Sequence, residues 1–75
     1  MLGADPKLLY QAANVYALTS PGHPEDRDAA LKYLRQSLRD GYREFDTIET
    51  DPDMANVRDV PEFGEAIRAA RELTK

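Results

Sequence analysis

The stretch PKLLYQAANVYALTSPGHPEDRDAALKYLRQSLRDG, residues 6–41, decides the fold. It is entered through Asp5. Asp is a good helix N-cap, and Pro6 fits the first helical turn, where its missing N–H would lack a partner anyway. Leu8, Leu9, Ala12, Ala13, Val15, Tyr16, Ala17 and Leu18 then recur three and four residues apart. That is helical spacing, and it predicts a helix from Pro6 to about Thr19. The apolar residues cover more than half of the cylinder, so such a helix needs cover from two sides. Its polar residues Lys7, Tyr10, Gln11 and Asn14 follow the spacing i, i+3, i+4, i+7 and form one narrow stripe.

Ser20-Pro21-Gly22-His23-Pro24 ends that helix, since Pro-Gly is a strong turn signal. A second helix is predicted over residues 24–40. Ala30, Leu31, Leu34, Ser37 and Leu38 make its buried face, with Lys32, Arg35, Gln36 and Arg39 pointing away. Glu25, Asp26 and Asp28 near its start, and Arg35 and Arg39 near its end, complement the helix dipole. Gly41 is the expected left-handed C-cap. Two helices joined by a short turn predict an antiparallel hairpin over residues 6–42.

Beyond the hairpin the elements shorten and acids crowd together: Asp40, Glu44, Asp46, Glu49, Asp51, Asp53, Asp59 and Glu62. Phe45 and Ile48 are three apart, as are Met54 and Val57, which suits single helical turns. Asp51-Pro52 repeats the Asp5-Pro6 opening. A last helix starts around Asp59-Val60-Pro61-Glu62, with Phe63, Ala66, Ile67, Ala70 and Leu73 as its apolar stripe. The acids therefore read as helix caps and first-turn residues: Asp51 caps a short helix, Asp59 stands at the start of the last one, and Glu62 lies in its first turn. A calcium loop begun at Asp46 fails, because Ile48 and Asp51 fall where a ligand and a glycine are required.

Composition sets the outer limits. At 75 residues the chain is one domain near the lower size limit for an independent core, and its 41% apolar share argues for a folded one. The absence of cysteine excludes disulfides, thiolate metal sites and thiol chemistry. A net charge of −4 disfavours a general nucleic-acid binder. No apolar run is long enough to span a bilayer, and the opening MLGADPKLL lacks the pattern of a secretion signal, so a cytoplasmic protein is expected. The fold class is all-α: one domain over residues 1–75, in which a hairpin (6–42) is closed by one or two short helices and a C-terminal capping helix (43–75).

Leu9-x2-Ala12-Ala13-x2-Tyr16 and Ala30-x3-Leu34, followed by Ser37 and Tyr42, lie on the tetratricopeptide pattern W-x2-L-G-x2-Y…A-x3-F…P. The hairpin resembles that family. Ala13 and Ala30 stand where small residues let the helices approach, and Tyr16 where a ring fills the space between them. Leu9 replaces the family's large aromatic, Ala12 its Leu, Leu34 its Phe and Tyr42 its Pro, and residues 19–27 exceed its tight turn. Together with Asp51-Pro52-Asp53-Met54…Val57-Arg58…Pro61…Phe63, the chain resembles the closing segment of bacterial arrays, including those of large bacterial serine/threonine kinases. The likeness spans residues 8–67. It implies one terminal repeat and its cap, a fragment of a larger protein, whose first helix would be left bare for neighbouring repeats or a second copy.

The resemblance also implies where a partner would bind. The first helix of each repeat lines a peptide groove, which places Lys7, Tyr10 and Asn14, with Ala17 beside them, on a protein- or peptide-binding face. The competing reading of that stripe is a solvated face. A second surface, the basic run Lys32, Arg35, Arg39 and Arg43, offers the alternative of a small helical nucleic-acid-binding regulator. Against it, Asp28, Asp40 and Glu44 are neighbours and no aromatic residues interleave. His23 and Ser20 share a turn but lack a third partner, so no catalytic constellation, metal site or cofactor site is expected. Tyr16, Tyr33 and Tyr42 are expected to pack around the hairpin.

Overall fold

The computed structural model describes residues 5–73. Within them lie α1 (Pro6–Thr19), α2 (Pro24–Arg39), α3 (Phe45–Thr50), α4 (Ala55–Arg58) and α5 (Pro61–Leu73), with 3-10 turns at Ser20–Gly22 and Pro52–Met54 and no strand. The all-α expectation holds. The opening residues 1–4, on which the secretion-signal reading partly rests, lie outside the described part.

Local chemistry sets the helix limits. The Asp5 carboxylate accepts the Lys7 N–H at 2.8 Å, occupying one of the donors that a helix start leaves open. Pro6, Pro24 and Pro61 all stand at first helical positions. At the end of α2, Gly41 has φ 118°, the left-handed region that favours glycine. Gly41 N–H donates to Leu38 O and Tyr42 N–H to Ser37 O, the paired bonds of a Schellman motif. Residues 24–27 do not lengthen the turn, as the tetratricopeptide comparison implied. They form the first turn of α2, and the connection is Ser20–His23 alone.

The register of the hairpin is visible in three pairs. The Thr19 hydroxyl donates to the Asp26 carboxylate at 2.7 Å. Tyr16 stacks on Tyr33 with centroids 5.5 Å apart, and Tyr10 on Tyr42 at 4.7 Å. As the number falls in α1 it rises on the other side, so the helices run antiparallel. Ala13, Ala17 and Ala30 are buried between them beside Leu31, Leu34 and Leu38. Small side chains at the contact bring the helix axes close and let the leucines fill the remaining space.

The second half folds back on this hairpin. α5 packs against α2, while the Pro52–Met54 turn and α4 pack against α1. Ile48, Met54, Val57, Phe63, Ile67 and Ala70 join the hairpin residues in one core. Leu73 is a correction: expected in the buried stripe of α5, it is 75% exposed. At 3.6 residues per turn it lies roughly a quarter-turn round from Phe63, Ile67 and Ala70. Asp59 also differs from expectation. It follows α4, two residues short of α5, and its carboxylate makes no hydrogen bond among the described residues. No helix among the described residues is long and apolar enough to cross a membrane.

Candidate interaction surface

α1 presents three faces. One, carrying Ala13 and Ala17, is buried, with α2 as its largest neighbour. The second is covered by the cap. The third carries Leu8, Val15 and Leu18, which are 59%, 60% and 53% exposed. At helical spacing this third face lies on the far side of the cylinder from Tyr10, Ala13 and Ala17. The wide apolar surface of the first helix is thus only partly enclosed by its own chain.

The cap is held to the second face by polar bonds centred on Asp51. Its Oδ2 accepts the Tyr10 hydroxyl at 2.8 Å, its Oδ1 accepts the Asp53 N–H at 2.9 Å, and its backbone carbonyl accepts Arg58 Nη2 at 2.6 Å. One residue therefore caps the Pro52–Met54 turn, anchors α4 and grips α1. Asn56 Nδ2 adds a bond to Ala17 O at 3.1 Å, meeting a carbonyl near the end of α1. Burial, with the Asp51 hydrogen bond and negative charge behind it, raises the pKa of Tyr10 far above the ordinary tyrosine value. Tyr42 is raised by burial first, then by Glu44 and Asp51.

These contacts decide where the stripe residues stand. Lys7 is exposed, Asn14 is half-buried, and Tyr10 is only 4% exposed. Tyr10 sits at the border between the polar stripe and the small-residue stripe. Its ring lies on Tyr42 and its hydroxyl on Asp51. Asn14 Oδ1 is buried without a hydrogen-bond partner. Of the three residues, Tyr10 is enclosed by the chain's own cap, while Lys7 stays exposed beside it. Nothing local in the sequence carries this signal; it depends on Asp51, 41 residues beyond Tyr10.

The other sequence candidates also disperse. Arg43 leaves the basic run, since its guanidinium donates to the carbonyls of Leu38 and Tyr42. Lys32, Arg35 and Arg39 remain exposed on α2. Arg35 and Arg39 border a groove of about 200 Å³ floored by Leu38, Ala66 and Ala70. The Ser20 hydroxyl is committed to Ala17 O at 2.8 Å, while His23 is exposed with Nδ1 3.7 Å from Glu25. The His23 N–H donates to Ser20 O at 3.1 Å, but no hydrogen bond joins the two side chains among the described residues. Among the described residues no three His, Asp or Glu side chains are grouped so as to hold a metal ion.

Compared with protein families, with curated proteins and with solved structures, the chain has no match.

Proposed function

We propose that this chain is a non-catalytic protein-interaction module: a tetratricopeptide-like terminal hairpin with its cap, acting in the cytoplasm as the end of a larger bacterial scaffold protein. The occupant of its free surface is a neighbouring pair of helices, from the same chain or from a second copy. What supports this is the apolar face at Leu8, Val15 and Leu18, with Ala12 half-buried beside it. Single exposed apolar residues are ordinary, but three large ones on one face of one helix are the mark of a contact surface. A repeat at the end of a stack has its cap on one side and needs a neighbour on the other. The Asp51 clamp supplies the first of these, and the bare face awaits the second.

A second copy serves as a stand-in for the neighbour. In sedimentation across micromolar to millimolar concentration, the chain is expected to gain mass. A variant carrying Leu8→Glu, Val15→Lys and Leu18→Glu is expected to stay monomeric with an unchanged helical spectrum. A parent chain that remains monomeric throughout and binds no apolar dye overturns the proposal.

A further inference from the structure

A groove of about 430 Å³ opens on the cap, with no α1 residue in its lining, and its walls carry Arg58, Arg68 and Arg71. Phe63 and Ile67 form its apolar floor, and Glu49 is the one carboxylate in its lining. The chain as a whole carries a net charge of −4, so this groove has the opposite sign to the molecule around it. We propose that it binds an acidic peptide segment bearing an apolar side chain. This does not rest on the reading of the α1 face.

The arginines come from two elements and have different tasks. Arg58, on α4, is fixed by its bond to Asp51 O. Arg71, on α5, pairs with Glu49 and lies over the Phe45 ring, 4.8 Å from its centroid. Both are held in place by the fold. Arg68 is exposed and has no hydrogen bond or ion pair among the described residues, so structural duty does not explain it. A planar guanidinium with several donors matches a carboxylate in two-pronged fashion, and fixed neighbours reduce the ordering cost of capture.

Gly64 is the second observation. It lies inside α5, where glycine costs roughly 0.5–1 kcal/mol relative to alanine. A Cβ placed there meets nothing within 4 Å, so close packing within the chain does not require the glycine. With Arg68 and Arg71 it follows the spacing i, i+4, i+7, on one face of α5 and in the lining of the groove. Its missing side chain leaves open space in the groove lining beside Arg68 and Arg71.

The open side of the groove selects the occupant. A small ligand binds well where most of its surface is enclosed. An open trough instead suits an extended segment that lays carboxylates against the rim and one apolar side chain on the Phe63–Ile67 floor.

The test is a titration of the isotope-labelled chain with the acetylated, amidated hexapeptide Glu-Leu-Glu-Glu-Leu-Glu, followed by NMR. The Gly64 amide and the Arg68 and Arg71 side-chain N–H signals are expected to shift saturably, and the affinity to fall as salt is added. Arg68→Glu is expected to weaken binding at least tenfold, and Gly64→Leu to block the trough. Arg35→Glu, on the other groove, is expected to leave affinity within twofold. Failure of the peptide to bind, binding unchanged in Arg68→Glu, shifts centred on α1, or inorganic phosphate binding as tightly as the peptide would each overturn the proposal.

Discussion

The hairpin and the cap are built on different principles. α1 and α2 are long helices joined through alanines, leucines and the Tyr16–Tyr33 stack, with Tyr10 stacked on Tyr42 just past the end of α2. The cap uses helices as short as four residues, and what aligns them is a set of directed bonds: Asp51 to Tyr10 and Asp53, Arg58 to Asp51, Asn56 to Ala17. Short helices have little propensity of their own and depend on tertiary partners. The hairpin is therefore held by area and the cap by a few residues, and the two should fail differently when cut.

The largest effect is expected in the hairpin. Leu34 is fully buried in the core, and Leu34→Ala removes its packing there and leaves a cavity, at a cost of about 2–5 kcal/mol. For a 75-residue domain of modest total stability, that is enough to unfold much of the population. Chemical denaturation monitored by circular dichroism should show one transition moved to much lower denaturant. A loss confined to local signals, with the midpoint unmoved, would mean that the hairpin is not the centre of the fold.

Next comes the clamp. Asp51→Ala deletes a turn cap and leaves the buried Tyr10 hydroxyl without its acceptor, a loss of about 1–3 kcal/mol. Tyr10→Phe removes only the donor and should cost about 1 kcal/mol, since Asp51 keeps its bond to Asp53 N–H. Amide hydrogen exchange should find the loosening concentrated in residues 45–60 and leave the α2 core protected. Alkaline titration sharpens the same comparison. The folded pKa of Tyr10 is raised above the ordinary 10.0, so the folded state holds that proton more tightly. The stability this contributes is complete below pH 10 and falls as pH rises above it. Tyr10→Phe should remove up to about 1.4 kcal/mol per pH unit from that slope. An identical slope in the variant would place the raised group elsewhere.

The same contrast explains what was legible beforehand. Helix limits at Pro6, Pro24, Gly41 and Pro61 follow from residue chemistry acting on its own neighbourhood, and the amphipathic face of α2 from simple periodicity. The bare flank of α1 was also readable, as an apolar surface too wide for one partner. The fate of Tyr10 was not. A tyrosine has an apolar body and a polar tip, so membership in a polar stripe does not settle which end is used. Asp51 showed only its capping role in the sequence; its second bond reaches across the fold. The arginine-lined groove was equally hidden, because Arg58 and Arg68 belong to different helices and meet only through the turn between them.

The smallest effects come from two glycines, one in each region, and their signs should be opposite. Gly41 closes the hairpin at φ 118°, a conformation that costs an L side chain energy wherever there is room for it. Gly41→Ala should destabilise by roughly 1 kcal/mol through strain in the Schellman motif. Gly64 lies in a regular helix of the cap, and its replacement meets open space. Gly64→Ala should therefore stabilise by about 0.5–1 kcal/mol, since alanine lowers the entropy lost on forming α5. Thermal melts of the two single variants would separate the cases. A destabilising Gly64→Ala would mean that the glycine serves the backbone of α5. A gain in stability would mean that α5 itself has no need of a glycine at this position, where a Cβ meets nothing within 4 Å.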